Sequence, residues 1–213
     1  NGQTELVEAI TGVRKPESME IKLDGEIVEG TAASFISKGI GHIPEDRQRN
    51  AMVPDMTIAE NSILGYHRKP LFKKKGLLDK RKIAEYGQEV VKDYSIKTPD
   101  EDVLLGSLSG GNQQKVIVAR IFKQNPKVVI AAQPTRGVDA GAMEYIHGRM
   151  IKYRDEANSI LLVSADLQEI RSLSDRIIVM YKGKVVSEGK VEDYSFTTIV
   201  IIGFTTWRRV IFS

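Results

Sequence analysis

Two runs without a single polar residue, Val128-Val129-Ile130-Ala131-Ala132 and Ile160-Leu161-Leu162-Val163, bracket a stretch in which Met143, Ile146, Met150 and Ile151 recur at helical spacing. A strand with one wet face alternates apolar and polar side chains, so runs of this kind are expected to be buried on both faces. Strand, helix and strand in that order make a parallel βαβ unit, which commits the chain to an α/β fold with helices covering the sheet. At 213 residues there is enough chain to enclose such a core. The absence of Cys excludes a disulfide scaffold, a zinc ribbon and a cysteine nucleophile, and is compatible with a reducing compartment.

Around this unit the patterning is mixed. A helix is expected from Thr4, with Leu6, Val7 and Ile10 on one face and Gly12 closing it. Met19, Ile21 and Leu23 alternate up to Asp24-Gly25 and are followed by Ile27 and Val28, which reads as a hairpin. Gly39 to Ile43 is a short strand stopped by Pro44, and Ile177 to Tyr181 with Lys184 to Val186 flank Lys182-Gly183 as a second hairpin. From about Pro54 to Asn125 the whole block reads as helical, through Ile58 to Leu64, then Ile83, Tyr86, Val90, Val91 and Tyr94, then Asn112 to Phe122. It is expected to be a helical subdomain inserted into the α/β chain. Charge is unevenly spread: Arg68 to Lys82 carries eight Lys/Arg against Asp79 alone, a net +7 that leaves −4 for the rest of a chain totalling +3. Such a patch is either a solvated face or a contact with a membrane surface or partner. Tyr194 to Ser213 has no acid and is apolar and β-branched, too short and Thr-rich to span a bilayer but an aggregation hazard if exposed.

The sharpest local signal is Leu108-Ser109-Gly110-Gly111-Asn112-Gln113-Gln114-Lys115, where two glycines open a helix. Glycine lets backbone approach a phosphate, and a helix N-terminus favours an anion, although Ser-Gly-Gly in that position can be only a cap. The stretch Ala132-Gln133-Pro134-Thr135-Arg136-Gly137-Val138-Asp139 follows the first buried strand. In this order the chain resembles an ATP-binding cassette (ABC) domain, a P-loop NTPase of α/β class with a parallel core sheet, a small antiparallel β subdomain and an inserted helical subdomain. Through Asn1-Gly2-Gln3-Thr4-Glu5-Leu6 and Gly41-His42-Ile43-Pro44-Glu45-Asp46-Arg47 it is most similar to the second cassette of tandem-cassette subunits of sugar and nucleoside importers. The resemblance covers 1–193, with 194–213 an atypical tail.

The resemblance implies a degenerate site of its own. Asn1, Gly2, Gln3, Thr4 and Glu5 fall on the end of the phosphate loop, with Gln3 where the Walker A Lys belongs, and the strand and half-loop that precede it in the family are expected to be lacking. A gap at the centre of the sheet and weak or absent nucleotide affinity follow as expectations. Ala132 takes the place of the magnesium-directing Asp, Gln133 that of the water-activating Glu, Ala165 that of the switch histidine, and Glu45 that of the Q-loop Gln. No catalytic residue remains and no metal ligand is expected. By contrast Ser109, Gly110, Gly111, Asn112 and Gln113 form a signature that would complete the ATP site of a partner cassette, with Mg2+ held mainly by that partner. Gly137, Val138 and Asp139 form the D-loop; Asp139 either meets the partner or caps the helix beginning near Gly141. Met19 departs from the family's Gly after the Pro-x-Ser turn. His42, His67 and His147 lie at no ligand spacing and are expected to be structural.

The implied partners are the first cassette of the same subunit, a membrane permease and, indirectly, an extracellular solute-binding protein, with the chain peripheral at the cytoplasmic face of the membrane. Two roles compete: a motor component that shares ATP at the interface, and a non-hydrolytic structural or regulatory clamp. A soluble ABC-type ATPase acting on nucleic acid is a weaker reading, since the acidic remainder lacks a spread basic footprint.

Overall fold

A computed structural model describes residues 2–194, 201–205 and 210–212. In chain order the elements are α1 (Gln3–Ile10), β1 (Ile21–Leu23), β2 (Glu26–Ile27), α2 (Ala32–Ser37), β3 (Ile40–Ile43), α3 (Arg47–Asn50), α4 (Ile58–Ser62), β4 (Lys73–Lys74), β5 (Leu77–Leu78), α5 (Lys80–Asp93) and α6 (Gly110–Phe122). They continue with β6 (Val128–Ala132), α7 (Ala140–Asp155), β7 (Ser159–Ser164), α8 (Leu167–Leu173), β8 (Arg176–Tyr181), β9 (Lys184–Lys190), β10 (Ile201–Thr205) and β11 (Val210–Phe212). The chain divides into two units, one comprising Asn1–Pro44, Asn125–Pro134 and His147–Ser213, the other Glu45–Gln124 and Thr135–Ile146.

The first unit is built on a six-stranded sheet in the order β3-β6-β7-β10-β8-β9. The strands β3, β6 and β7 run parallel, with Ile130 opposite His42 on one side and Leu161 on the other. Every residue of β6 and β7 is buried, as their unbroken apolar runs require. The core that covers them gathers Val7 and Ile10 of α1, Phe35 of α2, Ile40, Ile130, Leu161, Val163 and Met180. Fully burying side chains of this size stabilises by about 1.5–3 kcal/mol each. The second hairpin turns at Lys182 and Gly183, both at positive φ (48° and 76°), as the Lys-Gly pair predicts.

One expectation for this sheet is corrected. Instead of a gap at its centre, β10 lies between β7 and β8 and pairs antiparallel with both, Gly203 standing opposite Leu162 and Ile177. An open slot would leave two facing rows of buried N–H and C=O groups unpaired, which a β-prone segment elsewhere in the chain can satisfy. The same tail supplies β11, which pairs antiparallel with β1 in a small sheet of order β11-β1-β2. The remainder of the tail, 195–200, 206–209 and 213, lies outside the described residues.

The second unit packs α4, α5 and α6 around Ile58, Phe72, Val90, Leu105 and Ile117, all fully buried, with Phe72 edge-on to Tyr86 at 5.1 Å. A second correction falls here. The block is not helical throughout, because Lys73–Lys74 and Leu77–Leu78 form a hairpin whose two turn residues, Lys75 and Gly76, both have positive φ (51° and 85°). That is the backbone of a tight primed turn, which a helix cannot contain. Asp79 then caps α5 by accepting from the backbone of Arg81 and Lys82. Arg120 is buried and donates to the Asn61 carbonyl at 3.3 Å. Burial pushes its pKa down to about 10, which still leaves it charged at neutral pH, and Tyr66 beside it acts in the opposite sense.

The entry to α4 is held by side chains. Thr57 and Glu60 form a reciprocal capping box, and the fully buried Asn61 amide accepts from the Val53 N–H (2.9 Å) while donating to the carbonyls of Val53, Met56 and Thr57. Replacing the buried Asn61 by Ala removes the partner of an amide and three carbonyls and is expected to cost about 3 kcal/mol. Thr57→Ala, which loses only a cap, should cost about 1 kcal/mol. Urea unfolding of the two variants side by side checks that order.

Candidate functional site

The positions expected to be vestigial gather at one edge of the first unit's sheet. Ala132 ends β6 opposite Val163 of β7, so Gln133 and Ala165 both follow the carboxyl ends of neighbouring parallel strands, where open α/β sheets bind ligands. Since β10 is antiparallel to both, β8 runs parallel to β7, and its Lys182-Gly183 turn opens at the same edge. Gly2 caps α1 there at φ 95°, and a Cβ on it would come within 2.8 Å of the Gly183 Cα, so no other residue fits.

What these positions present is neutral. Gln3 places its Oε1 in a buried spot without a hydrogen-bond partner among the described residues. Gln133 has a left-handed backbone (φ 49°) and donates its N–H to the Val163 carbonyl at 2.7 Å. Ala132 is buried and Ala165 exposed, and neither can hold a cation or a proton. Asp166, next to Ala165, is spent on capping α8 through the amides of Gln168 and Glu169. These positions therefore do not fit a magnesium-bound triphosphate: Gln3 brings no ammonium to the phosphates and Ala132 no carboxylate to the metal. Thr4 and Glu5 are exposed on the first turn of α1, and Asn1 lies outside the described residues.

The second unit carries an ordered turn at the start of α6. Ser109 caps the helix, its Oγ accepting from the Asn112 side-chain amide at 3.0 Å, while Asn112 Oδ1 accepts from the Lys97 N–H. Gln113 points inward: it donates to the Leu108 carbonyl (2.9 Å) and accepts from Gln48 (3.1 Å), so its side chain fixes the loop. Packing leaves little room for a side chain at either glycine, least at Gly111. A Cβ on Gly110 would meet Arg47 Nη2 at 2.7 Å and the Gly137 carbonyl at 3.1 Å, and one on Gly111 would meet the Ala142 Cβ at 2.7 Å and Asp139 Oδ2 at 2.8 Å. The glycines thus bring Arg47, Asp139 and Ala142 close against the first turn of the 13-residue helix α6, whose N-terminus carries the positive end of the helix dipole.

Arg47 ties this turn to the segment after β6. It donates to the carbonyls of Arg136 (2.8 Å) and Gly137 (3.3 Å), while Arg136 pairs with Glu45. Glu45, the residue expected at the Q-loop position, is therefore engaged by Arg136, just before Gly137. Val138 closes a turn onto the Thr135 carbonyl, and Asp139 caps α7 by accepting from the Ala142 N–H at 2.9 Å. Behind them Lys115 donates to the Ser95 carbonyl and sits 4.3 Å from the Tyr145 ring centre; burial, then Lys97, lowers its pKa. The roles of Arg47, Lys115 and Tyr145 escape sequence reasoning, because each depends on a contact between distant segments. Of the histidines, His147 pairs with the buried Glu169 at 2.9 Å, His42 lies within β3, and His67 lines a groove beside α4.

Known proteins resemble this chain in sequence and in fold. The family described as "ABC transporter" matches residues 1–136. The chain is 43% identical over 189 residues to the guanosine import ATP-binding protein NupO of Bacillus subtilis, covering 88% of this chain and 37% of that protein. It is 46% identical over 186 residues to the nucleoside import ATP-binding protein NupA of Lactococcus lactis, covering 87% and 37% respectively. It thus spans little more than a third of these relatives. Among solved structures, a dimeric ATP-binding cassette in a post-hydrolysis state bound to ADP and phosphate has the same fold, with a TM-score of 0.72 at 24% identity over 91% of this chain and 82% of that one.

If Arg47 holds the segment after β6 in place, Arg47→Ala should raise amide hydrogen exchange at Gly137 to Asp139 roughly tenfold, the worth of one or two charge-assisted bonds, while leaving β6 protected.

Proposed function

Given that the chain belongs to the ABC transporter family of ATP-binding proteins, we propose that it is a nucleotide-binding cassette of an importer for nucleosides or simple sugars. In this reading it is the second cassette of a tandem subunit. It donates its Ser109-Gly110-Gly111 signature to the ATP bound by the first cassette and holds a degenerate site of its own. The observation that carries the reading is the contrast between the two sites: the turn at Ser109 is fully built and capped, whereas Gln3, Ala132, Gln133 and Ala165 carry no charge.

The physical logic is that of phosphoryl transfer, which depends on positioning and on charge placed where the phosphates develop it. The first amides of α6, aided by the helix dipole, would meet the terminal phosphate, and the packed glycines allow backbone to reach it. Asn112 and Gln113 hold that backbone in place, and Asp139, through its cap on α7, positions the D-loop stretch of Gly137 and Val138. Metal and general base come from the partner cassette, since this chain's own edge offers neither.

The names of the relatives, guanosine and nucleoside import proteins, support a nucleoside as solute. They also support a permease as partner, with a solute-binding protein acting on the far side of the membrane, and a peripheral place at the cytoplasmic face. Among the described residues no helix is long and apolar enough to cross a membrane. A groove of about 570 Å³ beside α4 and α5, lined by Met56, Ala59, Ile63, Leu64 and Ile83, is an apolar surface suited to a permease segment. The alternative, a clamp that never takes part in hydrolysis, is favoured by the neutral edge alone.

ATP turnover by the tandem protein separates the two. Gly110→Glu drives a side chain into Arg47 and Gly137 and should lower turnover on the order of 100-fold, the scale of losing a preorganised oxyanion contact. Unchanged turnover would favour the clamp. Gln3→Lys should leave turnover within about twofold, since one ammonium does not restore the missing carboxylates. The present chain titrated with labelled ATP should show no micromolar binding.

A further inference from the structure

The hairpin of β4 and β5 has no part in the nucleotide site or in the groove's apolar wall beyond Leu78, yet it concentrates both charge and exposed apolar surface. Leu71, Leu77 and Leu78 are 57%, 76% and 50% exposed. In the register of the hairpin Lys73 stands opposite Leu78 and Lys74 opposite Leu77, with Lys75 at the turn. Of the eight cations between Arg68 and Lys82, Arg81 and Lys82 share Glu85, and Lys69 donates to Gln124. Arg68, Lys73, Lys74, Lys75 and Lys80 have no acidic partner among the described residues. The loop is held at its base, since Phe72 is fully buried against Tyr86 and its carbonyl accepts from the Asp79 N–H at 2.9 Å.

From this we propose that the Lys73–Leu78 hairpin is a contact site for an anionic lipid surface. Lysines on an edge strand can serve simply to prevent edge pairing, but that role gives no reason for three exposed leucines beside them. In combination the two residue types match a membrane interface, where leucine enters the acyl boundary and lysine extends its stem along it to leave the ammonium among the headgroups. Charge complementarity is direct, each unpaired cation near an anionic leaflet raising partitioning about fivefold. A polyanionic nucleic acid would satisfy the charge but not the leucines, and the stretch's one aromatic ring, Phe72, is buried and cannot stack on a base. Three leucines without a lipid chain give weak, reversible binding, which suits a surface that assists docking. The contact does not depend on the import reading, since it needs neither permease nor ATP.

The test uses the whole 213-residue chain and vesicles free of other protein. Sedimentation with phosphatidylcholine vesicles containing phosphatidylglycerol should show binding that weakens with salt, and vesicles of phosphatidylcholine alone should bind little. The variant carrying Lys73→Gln, Lys74→Gln and Lys75→Gln should bind on the order of 100-fold more weakly, from three such fivefold steps. Leu71→Ser with Leu77→Ser should also weaken binding but keep its salt dependence. Because the chain has no Cys, Leu77→Cys can be labelled uniquely with an environment-sensitive fluorophore, whose emission should shift blue on the mixed vesicles and stay unchanged on the neutral ones. Equal binding to both vesicle types, undiminished binding by the lysine variant, or sedimentation without a shift at position 77 would overturn the proposal. So would tighter binding to double-stranded RNA that ignores the leucine substitutions. None of these results bears on ATP turnover, which tests the import reading separately.

Discussion

The pairing of β6 with a neighbour on each side is the constraint from which the rest of the first unit follows. A strand that is apolar at all five positions can be satisfied only between two other strands and under helices on both faces. That fixes β3 and β7 beside it, in parallel, and brings the residues that follow each strand to one edge. The segment from Gln133 onward, Ala165 and the turn beside Gly2 share that edge for no reason other than strand direction. A functional site in this fold is thus a matter of what stands at a few loop positions, because the backbone delivers them there whatever their chemistry.

In this chain those positions are neutral: Gln3, Ala132, Gln133 and Ala165 carry no charge, and the backbone that presents them is ordered. Gly2 keeps the left-handed conformation of a phosphate loop's end, and Gln133 keeps a left-handed backbone bonded to Val163. The second unit shows the opposite balance. Its turn at Ser109 is maintained by neutral hydrogen bonds from Asn112 and Gln113 and by the two glycines packed against Arg47 and Ala142. Both places have an ordered backbone, and the positions singled out at each are neutral apart from Asp139.

Much of the first unit could be read from the sequence because its signals are strong and local. Unbroken apolar runs identify β6 and β7, and Asp24-Gly25 and Lys182-Gly183 identify two turns, both at positive φ in the structure. The short helix α2, which buries only Phe35, offers too few apolar positions to show a period. Inside the helical block, Lys75-Gly76 was a readable turn signal, masked by helical spacing on either side. The position of β10 could not be inferred at all: its partners lie in β7 and β8, and nothing within 201–205 selects an antiparallel course between them. At the candidate site, the side chains that matter for position, Arg47 and Glu45 with Arg136, meet across some ninety residues of sequence. The motif residues were legible, and the contacts that hold them were not.

The place of β10 bears on the order in which the molecule can assemble. β7 and β8 both precede residues 201–205 in the chain, yet neither pairs with the other, so the sheet as it stands can close only once that segment is in place. Until then the inner edges of both strands are exposed to any passing strand, including one from a neighbouring nascent chain. Completion of the sheet is therefore a late, long-range event, and the β8–β9 hairpin must wait for it to be joined to the parallel strands.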